Sequence, residues 1–327
     1  MNVAVVGGGS WGTALAVHLA RCAHDVRLWV RDPASAREIE EHRRSLRYLP
    51  GVTLPPLLAT SDLAAAVRAA EIAFVAIPSE FCRPAYRALR AHLTPEAVLV
   101  SATKGLEIDS RRRMSEVASE EAPGHPIAVL SGPSFALEVA HGQPTTVVVA
   151  SQDAAVAERV QRALSSRTFR AYSSDDVTGV ELGGALKNII AIAAGIVDGL
   201  GYGHNTAAAL ITRGLAEITR LAVARGARPD TLSGLAGLGD LVLTCTGTLS
   251  RNRRLGQALG SGRGLGAALA ELRMVAEGVR TTLAACALAE AASVEMPIAP
   301  QMRAVLYDGK PPRAAVDELM LRTLKRE

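Results

Sequence analysis

The chain has 327 residues, of which 49% are hydrophobic, 21% charged and 3% aromatic, and its formal net charge is +4. This balance excludes an intrinsically disordered protein, and the length suits two folded domains better than one compact core. Basic residues are not interleaved with aromatic residues in any run, which argues against a nucleic-acid surface. The composition is typical of an enzyme with anionic ligands at local sites.

The cysteines and the apolar stretches indicate a reducing compartment and no membrane span. The four cysteines are far apart and form no Cys-x-x-Cys pair, so we expect them to be reduced. The N-terminus has no basic segment ahead of its apolar run, which argues against a signal peptide. The apolar stretch 189–197 is too short to cross a bilayer, and 283–294 contains Glu290 and many alanines. We therefore expect a cytoplasmic protein.

A glycine-rich turn follows the first apolar segment. Residues 2–6 are typical of a buried parallel strand and 13–21 of a helix, with Gly7, Gly9 and Gly12 between them in the spacing G-x-G-x-x-G. In a dinucleotide-binding fold the first glycine permits the tight turn, the second lets backbone amides approach a pyrophosphate, and the third lets the helix pack on the strand. The alternative is a turn that binds no ligand, but the strand and helix on either side favour the dinucleotide site.

The end of the second predicted strand, 25–30, bears on the choice of cofactor. An acidic residue at this point accepts a hydrogen bond from the ribose 2′-hydroxyl of NAD, whereas an arginine pairs with the 2′-phosphate of NADP. Arg31 and Asp32 supply both types, and because Arg31 comes first we favour NADP over NAD. The alternatives are that Arg31 is a surface charge and that Asp32 is the N-cap of a helix beginning at Pro33.

Strand and helix patterns alternate in the first half of the chain, and only helical patterns follow. This order predicts an α/β Rossmann-type doubly wound parallel sheet in residues 1–178 and an all-α substrate-binding domain in 179–327. Ligands of such sheets bind beyond the carboxyl ends of the strands. Pro78, Lys104 and residues 131–134 all follow predicted strands, so we expect three turns to face the cofactor.

Lysine is rare in this chain. Of the 36 lysines and arginines only four are lysine, and two of them, Lys104 and Lys187, stand in segments with little other charge. Arginine stays protonated, whereas a desolvated lysine can lose its proton. Lys187 heads an apolar helical run, which predicts either proton chemistry or a lysine whose ammonium group reaches solvent. Asp240, a lone carboxylate in an apolar, glycine-lined segment, is a natural partner for it, the alternative being a helix N-cap.

A second anion site is predicted at Ser250, Arg251 and Asn252, which open a helix. Positive charge at a helix N-terminus is unfavourable, and a bound anion would remove the conflict. The alternative is a basic surface patch, and we expect Arg253 and Arg254 to be surface residues.

Seven motifs in this order resemble the NAD(P)-dependent glycerol-3-phosphate dehydrogenase family of the bacterial type. They are GGGSWGTALA at 7–16, TKG at 103–105, LSGPSFA at 130–136, ALKN at 185–188, GLGD at 237–240, SRN at 250–252 and VAEG at 275–278. Each motif alone is weak, but together they cover almost the whole chain.

The resemblance implies a role for each matching residue. For the cofactor it implies Gly7, Gly9, Ser10, Trp11, Gly12, Arg31, Lys104, Ala136, Arg251, Val275 and Glu277. For the substrate it implies Lys104, Gly132, Ser134, Lys187, Asp240, Thr244, Ser250, Arg251 and Asn252. Among these, Lys187 is the implied proton donor and acceptor, with Asp240 as its partner and Lys104 as a nearby charge, and no metal is implied.

The implied activity is reversible hydride transfer between NADP or NAD and dihydroxyacetone phosphate, which gives sn-glycerol 3-phosphate for glycerophospholipid synthesis. A homodimer is implied as well. The nearest alternative is a β-hydroxyacid or 6-phosphogluconate-type dehydrogenase, which would take a carboxylate-bearing substrate. A more remote alternative is a dinucleotide-sensing module without chemistry, for which Lys104, Lys187 and Asp240 would have no use.

Overall fold

The computed structural model describes residues 1–272 and 275–324. The chain divides into two compact units. The first comprises Met1–Glu107 and Arg112–Glu181, and the second comprises Ile108–Arg111 and the chain from Leu182 onward.

An eight-stranded sheet forms the centre of the first unit, with the strand order β3-β2-β1-β4-β5-β6-β7-β8. Its strands are β1 (Asn2–Val6), β2 (Asp25–Trp29), β3 (Leu58–Thr60), β4 (Ile72–Val75), β5 (Val98–Ser101), β6 (Ile127–Ser131), β7 (Thr145–Ala150) and β8 (Phe169–Ser174). The strand order runs from β1 to β3 on one side of β1 and from β4 onward on the other. This reversal at β1 is typical of a doubly wound fold and confirms the predicted fold class. The edge strand β3 is short, with three residues.

The prediction of a wholly parallel sheet is wrong for its last two strands. Strands β1 to β6 pair in parallel, whereas β7 pairs antiparallel with β6 and parallel with β8. The link from β6 to β7 contains one short helix, Ala136–Ala140, and β7 starts at the edge where β6 ends. A parallel pairing would need a crossover that carries the chain back to the opposite edge.

Helices cover both faces of the sheet. They are α1 (Ser10–Arg21), α2 (Pro33–His42), α3 (Leu63–Val67), α4 (Cys82–Arg90), α5 (Met114–Glu121), α6 (Ala136–Ala140) and α7 (Ala154–Leu164). Alternate residues of a strand point to opposite faces, and β1 is apolar on both. Val3 and Val5 pack in the core on one face, and Ala4 and Val6 pack in the core on the other. This explains why β1 reads as a continuous apolar run rather than an alternating one.

The second unit is helical, as predicted. Its helices are α8 (Val177–Gly199), which begins in the first unit, α9 (His204–Ala224), α10 (Pro229–Ser233), α11 (Asp240–Thr246), α12 (Arg251–Gly260), α13 (Leu265–Leu272), α14 (Glu277–Ala291), α15 (Ile298–Tyr307) and α16 (Pro312–Met320). A turn of π-helix, Leu235–Gly239, leads directly into α11. Asp240, which the sequence places in a glycine-lined segment, is the first residue of α11.

Within the described ranges, α8 alone is long and apolar enough to cross a bilayer. All residues of its most apolar window are buried inside the molecule, which is also typical of the core helix of a globular protein.

Candidate active site

The glycine-rich turn joins β1 to α1 as the sequence predicts. Gly7 has a φ angle of 128°, which only glycine adopts readily, and an added Cβ there would collide with the carbonyl group of Ala76. A Cβ on Gly12 would collide with the carbonyl group of Gly7, so this glycine lets α1 pack against the turn. Gly9 is different, because nothing lies within 4 Å of the position its Cβ would take. The backbone at Gly9 is therefore open to a ligand.

The start of α1 has the features of an anion site. The helix begins at Ser10, and its N-cap residue Gly9 supplies no side chain to accept hydrogen bonds from the first backbone amides. Such amides and the helix dipole favour a phosphate. Beside them, the buried indole Nε1 of Trp11 has no hydrogen-bond partner in the part of the chain that is described. These residues fit the pyrophosphate of a dinucleotide.

Arg31 and Asp32, which follow β2, make different contacts. The Asp32 carboxylate accepts hydrogen bonds from Ala34 N (3.3 Å), Ser35 N (3.0 Å) and Ser35 Oγ (2.6 Å), and so it caps α2. These bonds, mainly those from Ser35, lower the pKa of Asp32. The Arg31 guanidinium lies 5.7 Å from the centroid of the Phe81 ring. Phe81 is 43% exposed and was missed by the sequence reasoning, although it follows Pro78 at the end of β4.

Three predicted residues gather at the ends of β5 and β6. Lys104 Nζ donates a hydrogen bond to the carbonyl oxygen of Gly132 (2.8 Å), and Ser134 Oγ donates to the same oxygen (3.0 Å). Gly132 has a φ angle of 122°, and a Cβ there would lie 3.0 Å from Val147 Cα. Ala136 follows as the first residue of α6. The first unit thus presents a lysine and a serine hydroxyl at the carboxyl edge of its parallel strands.

Lys187 and Asp240 form a buried ion pair in the second unit. Lys187 Nζ lies 2.5 Å from Asp240 Oδ1 and donates a hydrogen bond to Thr244 Oγ1 at 2.6 Å. The Thr244 hydroxyl in turn donates to the backbone carbonyl of Asp240 (2.6 Å). Lys187 is 5% exposed and Asp240 1%. Next to them, burial raises the pKa of the Cys245 thiol to about 12, so this thiol stays protonated near neutral pH.

Backbone packing explains why these two side chains meet. Gly183 lies one turn before Lys187 and on the same face of α8. A Cβ on Gly183 would come within 2.6 Å of the Ala236 carbonyl oxygen, so α8 touches the π-helical turn directly. That turn ends at Gly239 and places Asp240 in the first turn of α11, facing Lys187. Single turns of π-helix are frequent at functional sites.

The start of α12 is where the sequence predicts a second anion site. Ser250 caps the helix, and its Oγ accepts a hydrogen bond from Arg253 N (3.2 Å). Arg251 makes no hydrogen bond or ion pair with the described residues, and its desolvation lowers the pKa of its guanidinium, an effect that the charge of Glu277 opposes. A desolvated arginine without a paired carboxylate is suited to bind an anion.

Asn252 and Asn188 connect this site to the neighbourhood of Lys187. Asn252 Nδ2 donates to Asn188 Oδ1 (2.9 Å), and Asn252 Oδ1 accepts from Gly278 N (3.1 Å), at the first turn of α14. Glu277 begins the same helix, and Val275 just before it is 36% exposed. The sequence motifs imply no role for Asn188, although it immediately follows Lys187. Its buried amide is visible only in the structure.

Comparison with known proteins identifies the family. The family model described as the NAD-dependent glycerol-3-phosphate dehydrogenase N-terminus matches residues 2–157, and the model of the C-terminus matches residues 176–317. The chain belongs to the NAD-dependent glycerol-3-phosphate dehydrogenase family.

Individual members of the glycerol-3-phosphate dehydrogenase family match along their whole length. The NAD(P)+ glycerol-3-phosphate dehydrogenase of Geobacter sp. (strain M21) is 54% identical over 330 residues, with 100% of this chain and 98% of the relative covered. A crystal structure of glycerol-3-phosphate dehydrogenase from Coxiella burnetii has a TM-score of 0.95 at 41% identity and covers 98% of this chain and 99% of the other. The yeast enzyme from Saccharomyces cerevisiae has a TM-score of 0.82 at 28% identity, with 97% and 98% covered. The alternative of a β-hydroxyacid dehydrogenase is not favoured.

Proposed function

We propose that this protein catalyses the reversible, NAD(P)H-dependent reduction of dihydroxyacetone phosphate to sn-glycerol 3-phosphate. The observation that carries the proposal is the buried pair of Lys187 and Asp240, within a chain that matches the family over both of its domains. A buried ammonium group is costly unless it is paired, and it is well suited to stabilise an oxyanion and to give up a proton.

The proton of the reaction is assigned to Lys187. When the ketone is reduced, a nicotinamide dinucleotide held at the glycine-rich turn would supply the hydride to C2. Negative charge then develops on the C2 oxygen, and the Lys187 ammonium stabilises that charge and donates its proton to form the alcohol. In the opposite direction neutral Lys187 accepts the proton from the alcohol. Asp240 and Thr244 hold Nζ in place through the bonds of 2.5 and 2.6 Å, and Asp240 stabilises the ammonium form.

The substrate phosphate is assigned to the start of α12. Arg251 supplies a guanidinium group that forms no hydrogen bond or ion pair with a carboxylate among the described residues, and the first turn of the helix supplies backbone amides. Ser250 and Asn252, the sequence neighbours of Arg251, are further proposed contacts of the substrate. Binding the phosphate away from the reacting carbon orients the ketone, and this is the kind of binding energy that raises turnover.

The remaining predicted residues are proposed contacts on the same basis, the resemblance and their local geometry. In the first unit Lys104, Gly132 and Ser134 are assigned to the substrate, and Lys104 also to the cofactor. The proposed dinucleotide contacts are Gly7, Gly9, Ser10, Trp11, Gly12, Arg31 and Ala136 in the first unit, and Arg251, Val275 and Glu277 in the second. Thr244 is assigned to the substrate through its bond to Lys187.

NADP is proposed as the preferred cofactor. Both oxygens of Asp32 accept hydrogen bonds from the start of α2, so this carboxylate serves as the N-cap of that helix. The Arg31 guanidinium lies over the exposed Phe81 ring. The cation is suited to bind the 2′-phosphate, and the aromatic face is suited to contact the adenine. The measurement is kcat/KM for NADPH and NADH with saturating dihydroxyacetone phosphate, and an equal or higher value for NADH would overturn this preference.

The activity itself is tested by following NADPH oxidation with candidate substrates. We expect rapid oxidation with dihydroxyacetone phosphate and none above background with a 3-oxo acid. Turnover of the 3-oxo acid alone would favour the β-hydroxyacid alternative. Tight NADPH binding with no turnover of either ketone would favour a dinucleotide-sensing module.

On the family resemblance we also propose that the protein is a homodimer and lies in the cytoplasm. Its product would supply the glycerophosphate backbone of phospholipids. Light scattering behind a sizing column tests the oligomeric state, and a mass near the 34.2 kDa of one chain would contradict it.

A further inference from the structure

Two helices of the second unit meet so closely that no side chain separates their backbones. Glycines make this contact between α8 and α12 possible, two on each helix: Gly195, Gly199, Gly256 and Gly260. A Cβ added to any of the four would lie less than 3.0 Å from a carbonyl oxygen of the other helix, a distance that real Cβ atoms do not show. We call these four residues and the backbone contacts they make the glycine clasp.

The glycine clasp sets the register of the two helices. The carbonyl groups of Ile192 and Ile196 on α8 face Gly256 and Gly260 on α12, so a step of four residues on one helix matches a step of four on the other. Residues four apart lie on the same face of a helix. The helices therefore run parallel through the contact. They cannot slide past each other by less than one turn, about 5 Å, without a backbone collision.

Two of the proposed charged contacts of the substrate are attached to this pair of helices. Lys187 lies on α8 and Arg251 on α12, each on the N-terminal side of the glycine clasp. The hydrogen bond of 2.9 Å between Asn188 and Asn252 joins the helices at the same end. The offset between α8 and α12 therefore determines how far the Lys187 ammonium lies from the start of α12.

The glycine clasp is an unfavourable choice for stability alone. Glycine inside a helix is destabilising relative to alanine, because the unfolded chain loses more conformational freedom on folding. Ordinary side chains pack helices well at axis separations of 8–10 Å. Four glycines at one contact thus lower the intrinsic stability of the two helices, but they let the two backbones approach closely in a fixed register.

We propose that the glycine clasp is a positioning device that sets the distance between the Lys187 ammonium and the anion-binding start of α12, and so makes the enzyme specific for a phosphorylated ketone. The inference rests on the proposed function and adds a determinant of its substrate specificity. The four glycines lie against the backbone of the facing helix and are not among the proposed contacts of substrate or cofactor, so their proposed effect passes through Lys187 and Arg251. An unphosphorylated ketone has no group at the anion site, and its reduction is insensitive to this distance.

The test compares two substrates on one sample of Gly256→Ala. We measure kcat/KM with NADPH for dihydroxyacetone phosphate and for dihydroxyacetone, and take their ratio. Any loss of folded enzyme lowers both values equally and cancels in the ratio. Because a misplacement of about 1 Å can cost up to a hundredfold in rate, we expect the ratio to fall at least about tenfold, mostly through dihydroxyacetone phosphate. The matched control is Gly266→Ala on α13, where nothing lies within 4 Å of the added Cβ, and its ratio should equal that of the wild type.

A second variant keeps the test valid if Gly256→Ala does not fold. Gly199→Ala adds its methyl group at the last residue of α8, and the overlap is smaller there, because the added Cβ lies farther from the Gln257 carbonyl oxygen than the Cβ of Gly256→Ala lies from that of Ile192. We expect a smaller fall of the ratio, about threefold, in the same direction. An unchanged ratio in the variant that folds, whether activity is kept or lost equally for both ketones, would overturn the positioning role. A wild-type enzyme that does not reduce dihydroxyacetone phosphate would instead refute the proposed function.

Discussion

Lys187 and Asp240 lie 53 positions apart in the sequence, yet Lys187 Nζ and Asp240 Oδ1 are 2.5 Å apart, and both side chains are almost completely buried. Two opposite charges in a site of low dielectric interact strongly, and each would be costly without the other. The pair therefore ties the stability of the second unit to the proposed chemistry.

Replacing Asp240 by asparagine should damage both properties. The variant keeps the shape of the side chain but leaves the Lys187 ammonium buried without a counter-charge, so we expect a loss of about 3–5 kcal/mol in the free energy of unfolding. We also expect kcat to fall by about a hundredfold, because the ammonium form and its position are both weakened. Urea unfolding and steady-state kinetics measure the two effects. Asp317→Asn, at an exposed position of α16, is the control, and a kcat for Asp240→Asn within twofold of the wild type would contradict the prediction.

Replacing Gly9 by alanine should weaken cofactor binding without destabilising the fold. The added methyl group meets no atom within 4 Å, and Gly9 is not among the glycines with a positive φ angle, so we expect an unchanged Tm. A pyrophosphate that approaches this backbone would meet the methyl group, and the Kd for NADPH should rise about tenfold or more. Fluorescence titration gives the Kd, with Gly264→Ala as a control at another open position. An unaltered Kd would show that the phosphates lie elsewhere.

Replacing Arg31 by alanine should change the choice of cofactor. A charge-assisted contact to the 2′-phosphate contributes about 1.5–3 kcal/mol, so the KM for NADPH should rise by about 10- to 100-fold. NADH lacks this phosphate, and its KM should change little. Parallel initial-rate measurements with the two cofactors give the comparison. An equal rise of both KM values would mean that Arg31 does not read the 2′-phosphate.

Glu217 should make the free energy of unfolding depend on pH. This glutamate of α9 is 1% exposed; its Oε1 accepts a hydrogen bond from Ile298 N (2.7 Å), and its Oε2 has no partner among the described residues. Burial, opposed by that backbone hydrogen bond, raises its pKa to about 7. Because an unfolded glutamate has a pKa of about 4.3, the folded state binds the proton more tightly. The resulting stability is fully present below about pH 4.3 and is lost as the pH rises through 7.

A comparison with Glu217→Gln isolates this contribution. The amide keeps the shape and the acceptor for Ile298 but does not titrate in this range. Between pH 5 and pH 8 we expect the free energy of unfolding of the wild type to fall by about 3 kcal/mol more than that of the variant. Urea unfolding at both values of pH provides the numbers. Equal pH dependence in the two proteins would mean that Glu217 is ionised throughout.

The sequence was sufficient for features that depend on local pattern. The alternation of strand and helix predicted the doubly wound sheet, and the spacing of Gly7, Gly9 and Gly12 predicted the turn into α1. Local pattern did not predict the direction of β7. The residues that link it to β6, 132–144, carry no signal that the two strands pair antiparallel. Local pattern also did not predict β3, Leu58–Thr60, because this strand is too short to show a periodicity.

The candidate site was predictable in composition but not in geometry. Rare lysines and a lone carboxylate pointed to Lys187 and Asp240, but their contact depends on the π-helical turn that brings α11 against Gly183. Phe81 and Asn188 were missed because an aromatic residue and an amide are common in any chain. Only their neighbours, Arg31 for the first and Asn252 for the second, distinguish them.

The most direct test of the central claim is the turnover of Lys187→Ala with dihydroxyacetone phosphate and NADPH, measured together with the Kd for NADPH. We expect kcat to fall by about a thousandfold or more, since both the proton and the charge that stabilises the oxyanion are removed. The Kd should stay within about twofold of the wild type, because Lys187 is not among the proposed dinucleotide contacts. A variant that retains wild-type turnover would contradict the assignment of Lys187 as the proton donor and acceptor.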